Sequence, residues 1–185
     1  MFPILVDLKA ANVALAGNGE AALRRLAQLD AEAARVTVYA PSPSETLVQA
    51  ARGRLNRWLP DIAGIGSARL LFITDLAKDD AASLADLARK AGVLVNTEDG
   101  VPLSDFHVPA IVRRGDLTLT VSTGGTSPAL ARILKRRLED EFGEHWGARL
   151  DEIALWRKAW RAEGLKPSEI TARTETELTE RGWLS

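Results

Sequence analysis

The sequence predicts an α/β fold built on a parallel sheet, and three observations carry that expectation. Continuous, β-branched apolar runs alternate with amphipathic helical patterns through the first half of the chain, the signature of βαβ units whose strands are covered on both faces. A glycine turn stands between the first such run and the first helical stripe. The composition is globular: 185 residues, 46% hydrophobic and 26% charged, long enough for one domain with a small appendage.

The predicted strands are Asn12–Ala16, Arg35–Tyr39, Leu70–Thr74 and Val93–Asn96. Ala21, Ala22, Leu23, Leu26, Ala27 and Leu29 form a helical stripe after the first, and Leu84, Leu87, Ala88 and Ala91 form another before the fourth. Between Pro41 and Gly66 the pattern predicts a helix over Glu45–Arg52 and a strand around Leu55–Leu59. Beyond Asn96 the texture changes. Asp116–Val121 alternates as a half-buried strand with no sequential partner in the parallel sheet, an edge that invites pairing with a second chain. Ser127 and Pro128 open a helix as N-cap and first helical residue, running to about Glu141. A further helix starts near Gly147 and stops at Gly164, and Pro167-Ser168 begins a polar one with a thin apolar stripe. The expected domains are 1–111, 112–147 and 148–185.

Charge and residue types exclude several classes of function. With 24 Lys+Arg against 25 Asp+Glu, no wholesale attraction to nucleic acid or anionic lipid is expected. The absence of cysteine rules out disulfides, thiolate zinc sites and a thiol nucleophile, and is compatible with the cytoplasm. The start has no basic region and no stretch approaches the roughly 18 apolar residues of a span, so neither a signal peptide nor a membrane helix is expected. His107 and His145 have no partner at ligand spacing, and no metal site is expected.

Ala16 to Ala22 reads GxGxxA directly between strand and helix, which predicts a Rossmann-like dinucleotide site. Gly17 permits the tight turn, Gly19 lets the backbone approach a pyrophosphate, and Ala22 lets helix pack on strand. The amides of Glu20 and Ala21 then point at the anion; the alternative is a glycine turn that binds nothing. The second strand ends in Pro41-Ser42, without the acid that grips a ribose 2′-OH, so Ser42 and its backbone take that place. No Arg stands there for a 2′-phosphate, which favours NAD over NADP without excluding the latter. Asp99 follows the fourth strand, where a carboxylate can serve as acid or base or simply as a turn residue. Between Ile111 and Arg137, the cations Arg113, Arg114, Arg132, Lys135, Arg136 and Arg137 face a single acid, Asp116. This segment is either a site for a polyanion or a solvated face paired to the acids that follow it. Ser122, Thr123, Thr126 and Ser127 around Gly124-Gly125 add hydroxyls and amides suited to an anionic group.

The stretches NTED (96–99), DFHVPA (105–110), RRGDL (113–117) and VSTGGTSPAL (121–130), with Phe2-Pro3-Ile4, the glycine loop and Thr74-Asp75, resemble the precorrin-2 dehydrogenase / sirohydrochlorin ferrochelatase module of siroheme synthesis. The resemblance runs from Phe2 to about Arg161. It implies an NAD-binding domain, a small dimerisation segment and a C-terminal helical tail, with two chains intertwined and the active site between domains. It implies oxidation of precorrin-2 to sirohydrochlorin with NAD+, in some members followed by ferrous iron insertion. The family's aspartate falls on Asp99. The implied cofactor residues are Gly17, Gly19, Glu20, Ala21, Pro41, Ser42 and Thr74; those for the polycarboxylate substrate are Arg113, Arg114, Thr123, Gly124, Thr126 and Ser127. Thr123 stands where relatives often carry serine, and Leu23-Arg24-Arg25-Leu26 where they often have a Glu-Arg-Lys pattern. The length leaves no room for the methyltransferase domain fused in longer relatives, so the chain is expected to receive precorrin-2 rather than make it. Two other functions share the glycine loop. A non-catalytic NAD-binding redox regulator needs a partner-binding element such as a helix-turn-helix, and none is evident. A small NAD(P)-dependent reductase of another polyanion commonly uses Tyr-x-x-x-Lys, which is absent, Tyr39 being the only tyrosine.

Overall fold

A computed structural model describes residues 1–98 and 101–184. The chain forms two compact units, Met1–Val108 and Pro109–Ser185. In the first, strands β1 (Asn12–Ala16), β2 (Arg35–Tyr39), β3 (Leu55–Asn56), β4 (Leu70–Ile73) and β5 (Leu94–Thr97) alternate with helices α1 (Glu20–Ala31), α2 (Glu45–Ala51), α3 (Ile62–Ile65) and α4 (Lys78–Lys90). All strand pairs are parallel, in the order β3-β2-β1-β4-β5. The chain direction across the sheet reverses between β1 and β4, and the crevice at the carboxyl ends of such neighbours is where ligands sit in open α/β sheets.

The period-two alternation of the strands divides the core. Val13 and Leu15 join Val36, Val38, Leu70 and Phe72 beneath Leu26 and Leu29 of α1 and Leu47 of α2. Ala14, Ala16, Leu71, Ile73 and Val95 form the opposite face with Ile65 of α3 and Leu84, Ala85 and Ala88 of α4. Both faces are apolar, which is why the strands read as unbroken hydrophobic runs. The open edge of β5 is closed by the chain beyond it. The Asp105 amide donates to the Val95 carbonyl (2.7 Å), and the Asp105 carboxylate accepts from the Val95 amide (3.0 Å). Phe106 then packs edge-on against Phe72, with ring centroids 5.3 Å apart.

The second unit holds an antiparallel hairpin, β6 (Ala110–Arg114) and β7 (Leu117–Val121), followed by α5 (Pro128–Glu141), α6 (Trp146–Ala162) and α7 (Pro167–Glu180). Ser127 caps α5 by accepting from the Leu130 amide, as its sequence predicts. The thin stripe of α7 buries only Ile170, and rings and guanidinium groups supplement it. Trp156 stacks on Trp183 at 5.5 Å, and Arg181 lies 4.5 Å from the Trp156 ring, a contact worth about 0.5–1 kcal/mol at an exposed site.

Two sequence expectations require correction. The strand around Leu55–Leu59 shrinks to Leu55–Asn56, because Trp58 is 61% exposed at the sheet edge and Pro60 has no amide to continue a ladder. The strand at Asp116–Val121 is not an unpaired edge: Leu117–Val121 pairs with Ala110–Arg114 of the same chain. Asp116 belongs to the Gly115-Asp116 turn between them, where Gly115 adopts φ +59°.

Leu15 is fully buried in the central strand. Leu15→Ala is expected to destabilise the protein by about 2–5 kcal/mol, measured by urea unfolding with an unchanged m-value.

Candidate functional site

The register of the sheet builds the glycine loop. Ile73 pairs with Ala16, so the next residue of each strand, Thr74 and Gly17, meet at the carboxyl edge. The Thr74 amide donates to the Ala16 carbonyl (2.8 Å), and on the other side the Gly17 amide donates to the Tyr39 carbonyl (3.0 Å). A side chain on Gly17 would place its Cβ 2.3 Å from Thr74 Oγ1 and 2.4 Å from the Thr74 carbonyl. The first glycine is therefore demanded by the close approach of β4 itself. Tyr39 is fixed in turn by donating its hydroxyl to the Gly64 carbonyl (3.0 Å). Burial, reinforced by Asp61, raises its pKa and keeps it a neutral donor.

Gly19 is the N-cap of α1 and offers no side-chain cap. The cap comes from just beyond β4: Asp75 Oδ2 accepts from the Ala22 amide at 3.0 Å. Asp75 does so from the left-handed region, φ +51°, where Asp and Asn are among the few tolerated non-glycine residues. Asn18, the variable residue between the two glycines, ties the loop to the end of β2. Its side-chain oxygen accepts from the Ser42 amide (2.9 Å) and its carbonyl accepts from the Ser44 amide (3.0 Å). The Ser42 amide is thus engaged, and the residue is exposed. Glu20 projects into solvent, with 88% of its side chain exposed.

Beyond β5, Glu98 stands 3.7 Å from Arg24 of α1. Arg25, one residue on, lies over the Phe72 ring at 5.1 Å, and burial lowers its pKa against the opposing pull of Glu98. Asp99 lies outside the described residues. Among the described residues, the buried side-chain polar atoms without a hydrogen-bond partner are Thr74 Oγ1, Thr97 Oγ1 and His107 Nε2. All three belong to the carboxyl ends of β4 and β5 or to the segment that follows. The orphaned Thr74 hydroxyl, the side-chain-free Gly17 and Gly19 and the N-terminal amides of α1 are the donor set a dinucleotide pyrophosphate needs, so the residues present fit such a cofactor. Motif reasoning assigned no role to Asn18 or Asp75. The pattern leaves Asn18's position free, and Asp75 reaches the loop from 53 residues away.

The basic segment lies in the second unit. Arg114 is committed: it donates to the Phe142 carbonyl (2.7 Å) and the Glu139 carbonyl (3.3 Å) at the end of α5 and pairs with Glu144. Lys135 pairs with Glu139. Arg113 lies on β6 opposite Thr118, and Arg132, Arg136 and Arg137 are exposed on α5. Thr123 Oγ1 bonds both the amide and the carbonyl of Ser127, which locks the turn. Gly124 and Gly125 take φ +62° and +85°, presenting Gly124 to Thr126 at the surface. Among the described residues no group of three or more His, Cys, Asp or Glu side chains could hold a metal, and no helix is long and apolar enough to cross a membrane.

A family model described as "Putative NAD(P)-binding" matches residues 4–110, and one described as "Sirohaem biosynthesis protein central" matches 114–141. The chain is 32% identical over 158 residues to siroheme synthase 1 of Serratia proteamaculans, covering 84% of this chain and 33% of that protein. With siroheme synthase of Thiobacillus denitrificans it shares 35% identity over 177 residues, 92% of this chain and 36% of that protein. It thus spans about a third of the length of these curated relatives. Among solved structures, SirC, precorrin-2 dehydrogenase, superposes with a TM-score of 0.71 at 23% identity, over 96% of this chain and 89% of that one. That likeness is one of fold.

The two glycines should separate by mutation. Gly17→Ala presses on Thr74 backbone and is expected to destabilise the unit by about 1–3 kcal/mol. Gly19→Ala has the Asp75 side chain as its nearest neighbour, with Oδ2 3.1 Å away, and should shift the thermal midpoint much less while weakening dinucleotide binding by calorimetry.

Proposed function

We propose that this chain, which belongs to the NAD(P)-binding family whose model matches residues 4–110, oxidises precorrin-2 to sirohydrochlorin with NAD+ as acceptor. The observation that carries this reading is the continuity, in one chain, of the NAD(P)-binding match over 4–110 with the sirohaem central segment over 114–141.

When bound, NAD+ supplies the hydride acceptor. The protein's own part is to hold it and to manage the proton and the polycarboxylate. Gly17, Gly19 and the amides of Glu20 and Ala21 receive the pyrophosphate, with Thr74 at the base of the loop. The Pro41-Ser42 turn faces the ribose. Asp99 accepts the proton that the macrocycle loses as hydride departs, and the same carboxylate is the group available to take pyrrole N–H protons when Fe2+ enters as substrate. Arg113, with Gly124, Thr126 and the Ser127 end of α5, receives substrate carboxylates; Thr123 shapes that turn. Arg114 acts indirectly, by holding the end of α5.

The functional form in this reading is a homodimer joined through residues 112–147. No residue of α5 is buried, and Leu130, Ile133 and Leu134 are 46%, 53% and 38% exposed along it. An apolar stripe of that kind on an isolated chain is the mark of an interface.

Two measurements test this reading. Asp99→Asn removes the base while keeping size, so anaerobic NAD+-dependent oxidation of precorrin-2 should fall about 10²–10⁴-fold with NAD+ binding near wild type; retained activity removes Asp99 from the mechanism. Light scattering at micromolar concentration should give the mass of a dimer for the wild type and of a monomer for Ile133→Asp, whereas a monomeric wild type contradicts the interface.

A further inference from the structure

Asp75 is an unexpected group to find at the start of α1. The N-terminus of a helix favours anions, because its unpaired amides and the macrodipole together present about half a positive charge. In this loop a carboxylate of the protein already occupies part of that field, 3.0 Å from the Ala22 amide and within 3.1 Å of where a Gly19 Cβ would stand. Thr74 is turned on the same loop. It is 4% exposed, its Oγ1 has no hydrogen-bond partner, and it lies against the bare Cα of Gly17. The end of β4 therefore supplies one unfilled polar group and one formal negative charge to the place where a pyrophosphate docks.

We propose that Asp75 is a positioning residue that also limits dinucleotide affinity: one carboxylate oxygen fixes the first turn of α1, and its charge opposes the incoming pyrophosphate. The inference rests on the glycine loop being the dinucleotide site. Fixing the turn keeps the Glu20 and Ala21 amides aimed outward without a side chain on Gly19, which would crowd the ligand. The charge weakens binding of any phosphate-bearing ligand there, which favours exchange of a cofactor that must leave after each turnover.

Asn and Gly separate the two effects. Asp75→Asn retains an acceptor for the Ala22 amide and tolerates the left-handed backbone, but is uncharged. Asp75→Gly accommodates that backbone with neither acceptor nor charge. Calorimetric titrations use NAD+, ADP-ribose and adenosine; ADP-ribose has the pyrophosphate without the charged nicotinamide, and adenosine has neither. Asp75→Asn should bind ADP-ribose about 2- to 10-fold more tightly than wild type, NAD+ should shift in the same direction, and adenosine should be unchanged. Asp75→Gly should bind ADP-ribose less tightly than Asp75→Asn, because the turn is no longer fixed. The inference is overturned if Asp75→Asn shows no gain for ADP-ribose, if adenosine gains equally, or if Asp75→Gly matches Asp75→Asn. Failure of all three proteins to bind NAD+ and ADP-ribose would instead overturn the dinucleotide reading itself, and this inference with it.

Discussion

The first turn of α1 carries no cap of its own, since Gly19 has no side chain and the carboxylate bonded to the Ala22 amide comes from Asp75, just beyond β4. That contact depends on the parallel pairing of β1 with β4, whose register sets Ile73 beside Ala16 and so Thr74 beside Gly17. The pairing in turn depends on two apolar faces, Leu15 and Phe72 on one side and Ala16 and Ile73 on the other. A side-chain cap in the loop itself would fix the helix locally but would crowd any ligand approaching its amides. Taking the cap from a neighbouring strand leaves the approach open.

The same economy recurs elsewhere in the chain. Asn18 fastens the loop to the turn after β2, Asp105 fastens the segment after β5 to its exposed edge, and Arg114 satisfies carbonyls at the end of α5. In each case a polar side chain supplies a backbone partner that secondary structure leaves unpaired. Among the described residues, the buried side-chain polar atoms left without a partner are Thr74 Oγ1, Thr97 Oγ1 and His107 Nε2, at the carboxyl ends of β4 and β5 and in the segment beyond. Unsatisfied buried groups cost stability, and their clustering at one edge is what a ligand site requires.

Much of the first unit was legible because its strands are covered on both faces, so their hydrophobic runs are continuous and their ends sharp. The GxGxxA turn was legible for the same reason, lying between an unmistakable strand and helix. The β6–β7 hairpin was not, because Ala110–Arg114 ends in two charged residues and is only half-buried, leaving no run to recognise. Charge and the family resemblance both marked Arg114 as a substrate group; its side chain is only 11% exposed and its donors meet a helix end distant in sequence, a partner that no local pattern announces. Asp75 illustrates the general limit. Local pattern identifies the residues of a loop, whereas the residue that holds the loop in shape arrives from the end of another βα unit, and only the register reveals it.

Amide hydrogen exchange with and without NAD+ tests most directly whether the clasped glycine loop is the cofactor site. The account predicts that saturating NAD+ slows exchange at Gly19, Glu20 and Ala21, with a smaller effect at Ser42, while the amides of α6 and α7 are unaffected. Bound NAD+ that leaves exchange at Gly19, Glu20 and Ala21 unchanged would contradict it.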